Sequence, residues 1–493
     1  MSSTPTVNRF PLPWVNPKSV LVLAIATALG IVVAIYPLLI FAGFVICLTL
    51  YSIWSWTRGR INLWQTITLA TLTSYLVLNY GFDNFTVLYV PAGELLMLLA
   101  LALAIGKMKR GFLKKVLSDP PVTCLIALLL LSCCHLLFDV RRYGFYAVRD
   151  GSMMFEAVFL ILGVAWTENP RHIDIFNVWL FVAFVANLFY SCTFFWADRI
   201  QAASPSFGVF HAVPLFGSYE QSSLWLLLGS LFCIFVAPSA VSWPRWLLVF
   251  LAIVQLTVLA VFQDRSMYVS IFLILVVLFM LGQFIHLASF ASTIGWAVAL
   301  LVFLLTITSV LGIHLQGRMG PVDLSFLEEH AKTILAIGDT NERMSHDVDR
   351  ADWYRQTWSR VTSSTSHVIV GEGFGQALID FENEEGIPVR QPHNSSLTVL
   401  ARLGFVGLSL WLLFIALITM RFVRALRKPF IQGPASTLVI WLSFHYLVSL
   451  LQASVQPAFE FSHGAIPFFF IVGVSIGVMQ GRNQGLNGTV VAG

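Results

Sequence analysis

Charge is scarce in this chain. Asp, Glu, Lys and Arg together supply 11% of its 493 residues, against 57% hydrophobic residues and a mean hydropathy of +0.81. A soluble globular protein carries about 25% charged residues, so a surface this poor in charge faces lipid over much of its area. Cysteine is also sparse. The six, Cys47, Cys124, Cys133, Cys134, Cys192 and Cys233, all lie in apolar stretches and fit no metal-ligand spacing. They read as small core residues, with no disulfide framework. There is no internal repeat and no low-complexity tract, so the chain is one membrane domain with a large insert. The net charge of +4 is small for the length, and the basic residues fall between apolar runs instead of forming one patch. No nucleic-acid partner is expected.

Long apolar runs are what the chain has in abundance. A helix needs roughly 20 apolar residues to cross the hydrocarbon core, with its backbone groups satisfied internally. Reading with that window predicts an all-α polytopic membrane protein of about fourteen spans, within a range of about 12 to 14. The first two are at 19–36 and 37–56, and the run at 19–36 ends in no cleavage pattern, so it is expected to be retained. Later ones include 62–80, 87–105, 122–138, 152–166, 266–287 and 289–313, and the last three are 395–420, 435–451 and 465–479. The resulting organisation is a first transmembrane part at 1–312, an insert at 313–395 and a second transmembrane part at 396–493.

Lys and Arg mark the cytoplasmic side. One set of alternate loops carries Arg58 and Arg60, then Lys107, Lys109, Arg110, Lys114 and Lys115, then Arg171, Arg245, Arg421, Arg424, Arg427 and Lys428. Both termini are expected on that side. The insert at 313–395 then falls outside the cytoplasm. It holds thirteen acidic and seven basic residues and, at over eighty residues, is long enough for a lid or small domain. Helical spacing of Trp353, Tyr354, Trp358 and Val361 predicts a helix over 341–361.

A few residues could carry chemistry. Arg141, Arg142 and Arg149 fall in the connection 139–151 and Arg265 in the turn 263–266, on the outer side, where the basic rule does not put them. Boundary arginine snorkels, pairs or binds an anion, and its planar fork suits phosphate. The plain alternative is a local pair, Arg265 with Asp264 or Arg149 with Asp150. His393 closes the insert directly before a span, where an imidazole can take a proton from a hydroxyl. A histidine beside Asn394 also fits a helix cap. Gly371, Gly373 and Gly375 read as a tight turn, since nothing around them has a Rossmann context. No metal site is expected, because the histidines of the insert fit no zinc pattern.

Together these residues resemble a known family. Trp358 is followed by His367-Val368-Ile369-Val370-Gly371-Glu372-Gly373-Phe374-Gly375, then His393-Asn394-Ser395-Ser396-Leu397, then Gly404-Phe405-Val406-Gly407. This is similar to the O-antigen ligase and O-antigen polymerase superfamily, with its tryptophan helix, "HPxxGxGxG" turn, "HNxxL" and "GxxG". Arg265-Ser266 and Arg149-Asp150 resemble the family's "SR" and "RD" elements. The chain departs from the pattern at Val368, where the family has proline, and at Arg402, where it has an acid; a "PN" pair usual near 216–221 is absent.

The resemblance implies a GT-C-like glycosyltransferase fold and metal-independent, inverting transfer, without a cofactor, on the outer face of a bacterial plasma membrane. The donor would be a polyprenyl-diphosphate-linked glycan, and the acceptor another glycan or lipid A core, with membrane lipids around them. The long insert favours polymerase or exopolysaccharide chemistry over ligation. On this reading Arg265, with Arg149 and Arg142, neutralises the diphosphate, and His393 orients or deprotonates the acceptor hydroxyl. Asn394 and the glycines at 371, 373 and 375 hold the end of the insert. The rival is a transporter or lipid-linked glycan flippase, for which acids inside spans would speak; Glu94 and Glu156 are the main examples.

Overall fold

The computed structural model describes residues 59–87, 90–208, 212–311, 316–317, 320–322, 345–381, 389–427 and 434–488. The expected spans at 19–36 and 37–56 lie outside the described residues, as does the stretch 323–344 of the insert.

The chain is an all-α membrane protein. Its main helices in order are α1 (Leu63–Leu78), α2 (Ala92–Lys107), α3 (Pro120–Tyr143), α4 (Ser152–Trp166), α5 (Arg171–Cys192), α6 (Ser222–Phe235), α7 (Arg245–Phe262), α8 (Arg265–Met280) and α9 (Phe284–Val310). They continue with α10 (Ser345–Val361) and α11 (Thr365–Val370) in the insert, then α12 (Ser395–Arg427), α13 (Pro434–Val455) and α14 (Ser462–Gly488). Among the described residues seven helices are long and apolar enough to cross a bilayer: α3, α5 with its extension to Ala203, α7, α9, α12, α13 and α14. Strand structure among the described residues amounts to three two-residue antiparallel pairs, such as Thr86–Val87 with Val90–Pro91.

Local chemistry sets the helix ends. Pro120 and Pro121 open α3, where a missing N–H costs nothing, and Gly144 (φ +60°) ends it with its N–H on the Val140 carbonyl. Asp264 caps α8 by accepting from the Ser266 N–H at 3.0 Å. Asn394 Oδ1 accepts the Leu397 N–H at 3.0 Å at the start of α12.

The core is built around α14. Nearly every residue of Ser462–Met479 is buried, against 28% of the apolar window of α9, so α14 is central and α9 faces lipid with Trp296, Phe303 and Val310. Between apolar helices in lipid, close packing has to supply the attraction. Gly163 of α4 and Gly473 of α14 meet backbone to backbone: a Cβ on either would run into the other helix, at the Phe470 and Leu160 carbonyls.

Hydrogen bonds tie the helix ends into two layers. At one end Asp119 holds Arg421 (2.8 Å) and Gln480 (2.5 Å), joining α3, α12 and α14 beside Lys114 and Lys115. At the other, Asn79 bonds Ser222 (3.3 Å), Ser223 bonds Asp264 (2.6 Å), and Ser395 bonds Glu460 (2.6 Å). That second end bears the insert. There α10 turns Trp353 and Val361 inward and Trp358 outward, and Val361 packs with Leu378, Leu400 and Ala401 against α12.

Two expectations need correction. The segment 139–151 is not a loop: α3 runs on to Tyr143, and a short helix, Phe145–Asp150, follows. Asp139 ends the apolar run but not the helix, because its carboxylate accepts the Phe374 N–H (2.8 Å). The span expected at 87–105 starts at Ala92, the residues before it being taken by the hairpin at Pro91.

Candidate functional site

The end of the insert is clasped onto the helices by one carboxylate. Asp150 receives Arg390 (2.9 Å), Arg402 (2.9 Å) and the Gly375 N–H (3.1 Å). Asp150 thus draws its partners from the insert and from α12. Arg402, whose side chain is 1% exposed, also donates to the Gly373 carbonyl (3.1 Å). A charge buried this deeply is tolerated only when paired and hydrogen-bonded. Arg390 also lies over the Tyr146 ring, 4.5 Å from its centroid.

The glycines make the clasp possible. The Glu372 and Gly373 N–H groups bond the Ala401 and Arg402 carbonyls (2.9 and 3.0 Å), so the turn lies on the α12 backbone. Gly371 (φ +89°) faces the Arg402 carbonyl and Gly404 (φ +63°) faces Ile369, each too close to admit a Cβ. Gly404 is also the non-helical residue inside α12. Outside the turn, Gln376 directs its amide nitrogen to Tyr143 Oη (3.2 Å) and Glu372 (3.0 Å) and its oxygen to Arg360 (2.8 Å), while Arg360 pairs with Glu372 (3.2 Å).

His393 precedes this helix in a left-handed conformation (φ +53°), which is strained for a residue with a Cβ. Its ring meets Trp353 edge to face at 4.9 Å. Burial, with the Arg350 charge, brings its pKa down to about 4, so the imidazole is neutral at physiological pH. Asn394 donates to the Ser454 carbonyl (3.0 Å), fixing the start of α12 against the end of α13.

A cavity of about 120 Å³ opens beside the clasp. Tyr80 and Asp83 from the turn after α1, Glu94 of α2, Arg149, and Glu460 and Phe461 before α14 are in its wall. Glu460 accepts from Ser395 Oγ (2.6 Å) and Thr398 Oγ1 (2.8 Å), which links the cavity to the first turn of α12. Burial pushes its pKa up to about 7, against the pull of those two hydroxyls. Behind it Ser462 Oγ touches both Glu94 (2.8 Å) and Glu156 (2.6 Å). One hydroxyl has one hydrogen, so one of these contacts takes its hydrogen from a carboxyl group. His463 Nδ1 meets Asp83 Oδ2 alongside.

No family model matches the chain, and no curated protein is found to be similar to it.

Of the residues singled out in the sequence, Arg149 lines the cavity. Arg142 is exposed in the last turn of α3, with its guanidinium 5.1 Å from the Tyr143 ring centroid. Arg265 opens α8 at the same end of the bundle, half-buried, next to an Asp264 that takes Ser223 and Ser266; it does not line the cavity. His393 is likewise outside the lining, against Trp353. The structure therefore joins Arg149 with Glu460, and the three glycines with Asp150 and Arg402. Asp150 as a hub, Arg390, Arg402 and Glu460 were not anticipated. For Glu460 a signal exists in the sequence: it is an acid directly before a span, and a charge at a membrane boundary is costly unless it is used.

Proposed function

We propose that the chain is a membrane glycosyltransferase. It moves polyprenyl-diphosphate-linked oligosaccharide at the outer face of a bacterial plasma membrane, in O-antigen or exopolysaccharide synthesis, by polymerase-type chain growth. The fuller architecture belongs to the same reading: about fourteen spans, both ends of the chain in the cytoplasm, and the GT-C-like class. The insert then faces outward, because Lys107 to Lys115 and Arg421 to Arg427 occupy the opposite end.

The observation that carries the reading is the cavity holding Arg149 and Glu460 at the insert-bearing end. A departing lipid diphosphate gathers negative charge, and guanidinium groups in a low-dielectric site stabilise it. Arg149 in the wall, and Arg142 and Arg265 at the same end of the bundle, are the candidates for that task. The test is transfer by the purified protein in detergent from a synthetic polyprenyl-diphosphate glycan to a lipid-linked glycan or to lipid A core. Arg149→Ala or Arg265→Ala should reduce turnover at least tenfold at unchanged membrane level. Full turnover in both variants would refute the anion role.

One observation favours a second reading. Glu94, Glu156, Ser462, Asp83 and His463 form a buried titratable cluster within the helices, as in a proton-coupled transporter or flippase. Proton-driven movement of lipid-linked glycan in sealed vesicles, without transfer in detergent, would establish that alternative.

A further inference from the structure

The wall of the cavity does not suit a diphosphate throughout. The wall combines three carboxyl groups, of Asp83, Glu94 and Glu460, with one guanidinium, that of Arg149, and with the rings of Tyr80 and Phe461. Negative phosphate oxygens would be repelled on the carboxyl side and held on the Arg149 side. A sugar fits the carboxyl side better. Its hydroxyls donate to carboxylate oxygens and its C–H edges rest on aromatic faces, the apolar-with-few-polar-groups pattern of a small-molecule pocket. Asp83, 9% exposed, keeps Oδ1 without a hydrogen-bond partner among the described residues. A buried acceptor left in that state matches a ligand that brings a donor.

Two groups could take a proton from such a hydroxyl. His393 is turned to Trp353 and does not line the cavity. Glu460 does, and it is oriented: Ser395 and Thr398 each donate to a different carboxylate oxygen, leaving a lone pair on each. We propose that this cavity seats the acceptor sugar and that Glu460 is the base for its attacking hydroxyl, an inference that rests on the transferase reading.

The step balances within the two substrates. The hydroxyl oxygen forms the new bond to the anomeric carbon of the donor glycan, and the bond from that carbon to the diphosphate breaks. The electron pair leaves with the polyprenyl diphosphate, and the hydroxyl proton passes to Glu460, which releases it to water. A carboxyl with a pKa of about 7 is ionised in part at neutral pH and still basic enough to accept that proton.

The experiment is the pH dependence of kcat/KM for the full-length protein with the synthetic donor and a glycan acceptor. The wild type should show an acid limb near pH 7. Glu460→Gln, which keeps the shape and can still bond Ser395 and Thr398, should lose about 10²–10⁴-fold in activity and lose the limb. Donor binding should be unchanged. Glu460→Ala should regain activity with added formate, a response that a merely structural role would not give. His393→Gln should keep the limb. Absence of transfer by the wild type would sink the transferase reading itself. Wild-type transfer with Glu460→Gln at more than a tenth of normal rate, or a limb lost in His393→Gln instead, would overturn this assignment alone. If Glu460→Gln does not accumulate in the membrane, the formate response of Glu460→Ala decides, and its failure counts against the proposal.

Discussion

Removing Asp150 would leave the Arg390 and Arg402 guanidinium groups side by side without the carboxylate they share, one of them 1% exposed. Breaking a buried pair from one side costs about 3–5 kcal/mol. Asp150→Ala should therefore lower the unfolding temperature and the membrane level sharply, with Asp150→Asn in between. An unchanged melting curve would mean that the clasp contributes nothing. His393 gives a pH-dependent counterpart. Folding lowers its pKa from 6.5 to about 4, so between those values the unfolded chain binds more protons. The stability contribution is full above pH 6.5 and is lost as pH falls towards 4. A plot of unfolding temperature against pH should be flatter over that range for His393→Gln than for the wild type. Parallel curves would refute the buried, neutral imidazole. Little of this pairing is legible in the sequence. Asp150 and Arg402 stand 252 positions apart, and no local pattern distinguishes Arg402 from the arginines that snorkel.

Among the elements, α12 carries the largest structural demand. It breaks helical geometry at Gly404 so that the turn at 371–375 can lie on its backbone. Gly371→Ala would combine a left-handed conformation, worth about 1–3 kcal/mol for a non-glycine residue, with a clash against the Arg402 carbonyl. Reduced thermal stability in detergent is the expected result, and a neutral outcome would show that the turn can leave α12. The glycine spacing announced a tight turn here, but not what the turn rests on. Helix positions followed from apolar runs, whereas helix ends did not. The apolar run stops at Phe138, yet a tertiary partner, the Phe374 N–H, satisfies the Asp139 carboxylate and the helix continues to Tyr143. The hairpin at Thr86–Val87 and Val90–Pro91 consists of residues apolar enough to pass for the start of a span.

For the molecule as a whole, the two polar layers define opposite sides. Lys115 is exposed at one end, and Thr365, in α11, is exposed at the other. In intact cells a membrane-impermeant maleimide should label Thr365→Cys and spare Lys115→Cys, which should react only after permeabilisation. The reverse pattern would invert the orientation and remove the outward cavity. The gathering of basic residues at one end is legible in the sequence, because position along a span is a one-dimensional property; the cavity is not, since its wall draws on three stretches of chain, at 80–94, 145–152 and 460–462. Its neighbour, the clasp, is costly to open. Lifting the turn would strip Arg402 of the Gly373 carbonyl and Asp150 of the Gly375 N–H. Each buried group left unmatched costs about 1–3 kcal/mol, and more where charge is involved. The turn is therefore a fixed post on that flank, and on the proposed transferase reading a lipid-tailed donor would arrive along the plane of the bilayer.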